Sequence, residues 1–218
     1  YETFAKRRYS EETVEQASAI FGWGDEDSEV LKQTYAKYSK KIHKTGSPRA
    51  DLWKPFFSDY WETPKEKPKK PFLLISSNLA TGNNINGLHK IVSFQQSKGY
   101  YNREPELFGK HFGLAAENNL MIFAYVKAAQ HLSNNKNYDI VLRPHLNENM
   151  EAWKIYLKGI PNVHVIREGP IDVWVKHAFA VMHNGCTTAF EAIVSEKPVI
   201  SYVPFEQKNS RELANDIG

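Results

Sequence analysis

Between Pro71 and Val203 the chain alternates short apolar runs with segments of helical composition, and this alternation limits the fold more than any other feature. The runs Pro71–Ser77, Tyr138–Leu142, Val163–Ile166, Phe179–Met182 and Pro198–Val203 are short, and the last two are rich in Val, Ile and aromatics. Each reads as a strand, and Phe179–Met182 and Pro198–Val203 as buried strands of a parallel sheet. Between them, helices are predicted over Leu114–Ser133, Met150–Lys158, Ile171–Ala178 and Thr187–Lys197. In the first helix Ile122, Tyr125, Val126 and Ala129 fall in register, and in the last Phe190, Ile193 and Val194 form a stripe. Strand–helix alternation with short loops predicts an α/β fold with a doubly wound parallel sheet, helices covering both faces. The polar stretch Leu79–Phe112 is expected to be irregular.

Residues 1–36 are polar and read as largely helical. Ser10-Glu11-Glu12-Thr13 is a capping start with Val14, Ala17, Ile20 and Phe21 behind it. Gly22-Trp23-Gly24-Asp25 interrupts, and a second helix is predicted over Ser28–Lys40 with Val30, Leu31 and Tyr35 on one side. Thr45-Gly46-Ser47-Pro48-Arg49 punctuates a sharp turn whose exit is flanked by Arg49 and Asp51. The expected organisation is the end of an N-terminal domain over 1–50, a charged and Pro-bearing linker over 51–70, and a C-terminal α/β domain over 71–218. The chain starts at Tyr1 rather than Met, and Ser210–Gly218 reads as the interior of a helix, so a piece of a longer protein is expected.

Composition removes several function classes. The lone cysteine, Cys186, excludes an internal disulfide and reads as a small packing residue. No apolar run reaches the length of a membrane span. The net charge of +3 is mild, and part of it sits in the solvated linker Lys65–Lys70; no basic stripe with interleaved aromatics points to nucleic acid. Neither a Gly-rich dinucleotide fingerprint nor a phosphate loop is present, and the histidines are scattered rather than spaced as ligands. No metal and no cofactor are expected, and Asp25-Glu26-Asp27 reads as a helix cap.

The polar ends of the strands carry the chemistry. Ser76-Ser77-Asn78, Arg143-Pro144-His145, Arg167-Glu168-Gly169 and His183-Asn184-Gly185 each close an apolar run. In a parallel sheet these ends share one edge, where open α/β folds bind ligands. Arg143 and His145 offer donors to an anion, both expected to be solvent-reachable. Asn184 and Gly185 permit a tight turn, Thr187 and Thr188 bring hydroxyls and backbone N–H groups to a helix start, and Glu191 could aim a carboxylate at a sugar hydroxyl. Taken singly, each has an ordinary alternative as a turn, surface or capping residue. Glu148, Glu151 and Glu191 equally suit the first turns of helices as dipole partners.

Taken together, these motifs resemble a known family. Thr45–Asp51, Leu73–Asn78, Arg143-Pro144-His145, Arg167–Asp172, His183–Ala192 and Lys197–Tyr202 occur in the order seen in bacterial surface carbohydrate biosynthesis proteins. These are GT-B-type glycosyltransferases akin to capsule Kdo transferases, and more distantly to polysialyltransferases and CDP-glycerol glycerophosphotransferases. The resemblance spans about residues 20–218 and is most specific from Arg143 to Pro204. Two positions depart from it: Leu146 stands where relatives often have a second Pro, and Ala50 where a larger residue is common.

The resemblance implies a two-domain GT-B architecture whose C-terminal domain holds a nucleotide-activated sugar, the N-terminal domain facing the acceptor. It implies a bacterial enzyme in the cytoplasm or at the inner face of the membrane, in peripheral association with it. Donor contacts would come from Arg143, His145, His183, Asn184, Gly185, Thr187, Thr188 and Glu191. Gly46, Pro48, Arg49 and Asn78 would line the junction or cleft. For a general base, Asp51 and Glu168 are named on position alone. The leading expectation is transfer of a sugar, an acidic one from a CMP donor before CDP- or UDP-linked ones, to a polysaccharide or lipid-linked glycan. A CDP-polyol phosphotransferase of the teichoic-acid type and a non-catalytic nucleotide-binding domain of an assembly protein are the alternatives.

Overall fold

Ser10 opens the first described helix as its residue pattern predicts: its Oγ accepts the Thr13 N–H at 3.1 Å. The computed structural model describes residues 5, 9–208 and 213–216, which fall into two compact units, 1–52 and 53–218. In the first unit α1 (Glu11–Gln16) is followed by β1 (Ile20–Gly22), α2 (Asp25–Thr34), a 3-10 segment over Ala36–Lys41, β2 (Ile42–Lys44) and the single turn α3 (Pro48–Asp51). The two strands pair in parallel, Ile20 opposite Ile42.

Helical structure was expected through Phe21, but the backbone turns extended at Ala17. Burial then alternates with period two, Ile20 inside and Phe21 61% exposed, which is the pattern of a strand. The helix predicted over Ser28–Lys40 starts three residues earlier, with Asp25, Glu26 and Asp27 as its acidic first turn, and ends at Thr34. Gly22 permits the close approach of α2, since a Cβ there would lie 2.2 Å from Ser28 Oγ. Val14, Ile20, Leu31, Tyr35, Tyr38 and Ile42 make this unit's core.

The second unit runs β3 (Phe72–Ser76), α4 (Leu88–Ser97), α5 (Tyr100–Arg103), α6 (Glu106–Leu132), β4 (Asp139–Arg143), α7 (Met150–Tyr156), β5 (Val163–Val165), α8 (Ile171–His177), β6 (Ala180–His183), α9 (Thr188–Val194) and β7 (Val199–Ser201). The five strands form one parallel sheet in the order β5-β4-β3-β6-β7. The expected doubly wound α/β fold is therefore present. Alternate side chains of the central strand serve opposite layers. Leu73 and Ile75 pack with Met121 and Tyr125 of α6 and Trp153 of α7; Phe72 and Leu74 pack with Trp174 and Val175 of α8 and Ala192 of α9. Every residue of β3 and β4 is buried, which explains the apolar stretches Phe72–Ile75 and Ile140–Leu142 at their centres.

The stretch 79–112 is not irregular: it holds α4, α5 and the first two turns of α6. Two of its glycines and its proline mark the starts of these helices. Gly87 and Gly99, both at positive φ, precede α4 and α5, and Pro105 precedes α6. Of the helix predicted over Ser210–Gly218, only 213–216 are described, as a 3-10 turn; the remainder lies outside the described residues. No helix among the described residues is long and apolar enough to cross a membrane.

Candidate functional site

The sheet order places the first strand, β3, in the middle. The chain winds outward from it through β4 to β5, then returns to build β6 and β7 on the other side. Connections leave β3 and β6 in opposite directions, which opens a crevice beyond their C-terminal ends. Strand register then decides which residues border it. Ser76 pairs with Arg143 on one side and His183 on the other, and His183 pairs with Ser201. The last residues of four adjacent strands thus stand in one row.

That row faces the α8/α9 layer, by the alternation that sends Leu74, Val141 and Val181 there. Ser76 Oγ lies 3.1 Å from Thr188 Oγ1 and 3.5 Å from Cys186 Sγ, and Cys186 Sγ is 3.1 Å from Thr188 Oγ1. His183 is fully buried, and its Nδ1 accepts the Gly185 N–H at 3.1 Å; Gly185 makes this turn with φ of 95°. Glu191 is 4% exposed, one turn into α9, with Thr188 at 3%. Thr187 is exposed beside them. One residue further on, side chains face the other layer. Asn184 Oδ1 accepts Tyr125 OH at 3.3 Å and the Asn78 N–H at 3.4 Å, closing the β3 loop onto the β6 loop. Burial holds the Tyr125 phenol pKa well above its ordinary value.

Arg143 departs from expectation. It is 7% exposed rather than solvent-reachable. Its Nη1 donates to Glu168 O at 2.7 Å and its Nη2 to Gly169 O, while the guanidinium lies 5.8 Å from the Trp174 ring centre. Burial first, and then the charge of Arg167, lower its pKa to about 10; Asp172, Glu168 and Glu191 act in the opposite direction. Arg143 braces the loop after β5. His145 is exposed, and its Nδ1 accepts the Asn147 N–H at 3.2 Å, so the neutral ring carries its proton on Nε2.

Gly46, Pro48, Arg49 and Asp51 belong to the first unit, where Gly46 takes φ of 79° and Ser47 and Pro48 start α3. Glu168, in the second unit, spends its carboxylate on the linker: it accepts the Lys65 N–H at 3.2 Å and the Glu66 N–H at 2.9 Å.

No protein-family model matches this sequence, and no curated protein matches it. Solved structures resemble it in chain path. MnaA of S. aureus, in a structure with UDP, is 16% identical with a TM-score of 0.49, covering 88% of this chain and 44% of its own. The wall teichoic acid polymerase TagF is 11% identical with a TM-score of 0.45, covering 90% and 41%. A structure of accessory secretory proteins 1, 2 and 3 of Streptococcus pneumoniae is 11% identical with a TM-score of 0.41, covering 94% and 34%. The chain spans less than half the length of each, and at such distances the likeness assigns no substrate.

Two residues outside the predicted donor contacts also shape the strand-end edge. Glu148 has no exposed surface, and four donors from separate segments converge on its carboxylate. Arg167 Nη1 reaches the carbonyls of His145, Leu146 and Glu148 at 3.1–3.3 Å, tying the β5 loop to the β4 loop. Glu148 reads in sequence as a helix-start charge, and only the position of the β3 loop reveals its partners. Beside this edge, a pocket of about 480 Å³ lies between residues 60–65 and the β5–α8 loop, bordered by Tyr60, Trp61, Glu168, Pro170 and Trp174. It shares the Glu168–Gly169 backbone that Arg143 braces.

Proposed function

We propose that this chain holds the nucleotide part of an activated sugar in the crevice between the β3 and β6 loops and contributes the donor-binding half of a GT-B-type glycosyltransferase. The observation that carries this reading is the row Arg143, Ser76, His183 and Ser201 at the point where the sheet order reverses. Polar side chains set at that point, with the Gly185 turn beside them, suit an anionic and hydroxyl-rich ligand better than they suit an inert loop.

In this reading His145, through Nε2–H, and the exposed Thr187 meet the donor phosphate. Arg143 sets the rim from behind, and Glu191 takes a ribose hydroxyl. Groups fixed in advance around a leaving phosphate stabilise the charge that builds there as the sugar departs. The proposed donor is a CMP-linked acidic sugar and the acceptor a surface polysaccharide or lipid-linked glycan. Calorimetry with CMP, CDP, UDP and GDP tests the donor class. Tighter binding of the cytidine nucleotides is expected; equal affinity for all four, or binding of none, would sink the assignment.

A further inference from the structure

Glu148 is the most deeply buried acidic side chain described, and among the described residues it belongs to no ion pair. A buried carboxylate needs compensation, and here it comes entirely from neutral donors. Oε1 accepts the Leu79 N–H at 3.1 Å, the His145 N–H at 3.0 Å and Ser77 Oγ at 2.9 Å. Oε2 accepts Trp153 Nε1 at 2.7 Å, with Ser77 Oγ at 3.1 Å. These donors come from the β3 loop, the β4 loop and α7.

The surrounding backbone follows this arrangement. Glu148 N–H donates to His145 O at 2.9 Å, closing the turn 145–148, and Asn147 N–H inside that turn fixes the His145 ring at Nδ1. The segment after β3 runs alongside: Ile85 N–H donates to Asn147 O at 2.9 Å and Asn149 N–H to Asn83 O at 2.8 Å. A connection needing only packing could use an apolar side chain here. Four convergent donors call for an acceptor at both oxygens, which glutamine cannot supply, because its NH2 would confront either Trp153 Nε1–H or two backbone N–H groups.

We propose that Glu148 is a positioning residue of the strand-end site: its carboxylate sets the turn that presents His145 with Nε2–H outward, and it locks that turn to the loop after β3. The proposal rests on the nucleotide-binding reading only for its ligand. Its own observable is the state of the His145 ring.

The experiment compares the 218-residue chain with Glu148→Gln, Trp153→Phe and Ser77→Ala, using ¹H–¹⁵N spectra of the His145 ring and CDP titration. The parent is expected to show the Nε2–H tautomer with a single ring environment. Glu148→Gln should show averaged ring signals, a displaced Trp153 indole N–H and CDP affinity lowered by about tenfold, the value of one lost hydrogen bond. Combining Glu148→Gln with Trp153→Phe removes the opposed donor and should restore much of both readouts. If Glu148→Gln does not fold, Trp153→Phe and Ser77→Ala each remove one donor, keep the carboxylate, and should still broaden the His145 signals. Parent-like His145 spectra in every folded variant would overturn the proposal. A parent that binds no nucleotide but keeps the predicted ring response would instead count against the donor reading alone.

Discussion

Replacing Arg143 by alanine separates the brace from the ligand. The substitution removes two charge-assisted hydrogen bonds, each worth about 1.5–3 kcal/mol when lost. The full sum does not apply, because the acceptors differ in what they keep. Glu168 O retains Trp174 Nε1 at 2.7 Å, and Gly169 is exposed, so water can replace the guanidinium there. Release of the buried charge offsets a further part, since the lowering of its pKa to about 10 reports a desolvation cost already present in the native state. A loss of about 2 kcal/mol remains, which for a chain of this size lowers the melting temperature by roughly 4–8 °C. Arg143→Met loses the same two hydrogen bonds but keeps a stem against Trp174, so it should cost less than Arg143→Ala by the packing it retains. Thermal unfolding followed by circular dichroism reads the difference, and amide exchange over 166–171 should accelerate in both variants. Unchanged melting and unchanged exchange in Arg143→Ala would refute the brace. Equal losses in both variants would show that charge, not packing, holds the loop.

Other substitutions probe separate parts of the molecule. His145→Ala, at an exposed position, should leave the melting temperature unaltered and weaken nucleotide binding by about tenfold, an outcome calorimetry checks against the parent. Glu191→Ala should lose nucleotide affinity and, because the side chain is buried beside the Arg143 charge, also stability, with Glu191→Gln intermediate; an Ala variant binding as tightly as the parent removes Glu191 from the site. Gly82→Ala should destabilise by about 1–3 kcal/mol in urea unfolding, since the added Cβ would lie 2.7 Å from Asn118 Cβ on α6. His177 has its pKa lowered, by burial first and then by Lys176, Lys67 and Lys197. The unfolded chain therefore binds the proton more readily, so stability present above about pH 6.5 declines as pH falls through that value. His177→Gln should flatten this part of the stability–pH curve, and an unaltered slope would assign the decline to other groups.

By itself the sequence determined the elements whose information is local. The apolar runs became strands within a residue or two, and the fourth ended at His183 rather than Met182. The α/β class followed because strands buried on both faces need helices on both sides. Errors fell where local signals conflict. Ile20 and Phe21 continue a helical stripe in sequence, yet pairing with β2 makes them a strand. The stretch Leu79–Phe112 reads as irregular, yet Gly87, Gly99 and Pro105 within it each precede a helix.

Tertiary structure alone decided the rest of the site. The sequence marks Ser76, Arg143 and His183 as strand ends and leaves Ser201 inside the run Pro198–Val203; only the pairing of β3 with β4 and β6, and of β6 with β7, sets all four in one row. Arg143 looked like an open anion ligand because nothing near it in sequence competes for its guanidinium; its acceptors lie 25 and 26 residues further on. Glu148 looked like a helix-start charge, while its contact with Ser77 spans 71 residues. Periodicity reports the face on which a side chain stands, because that follows from backbone geometry over a few residues. It cannot report what waits on that face, because a buried polar group takes its partners from whichever loops the topology brings to the same edge.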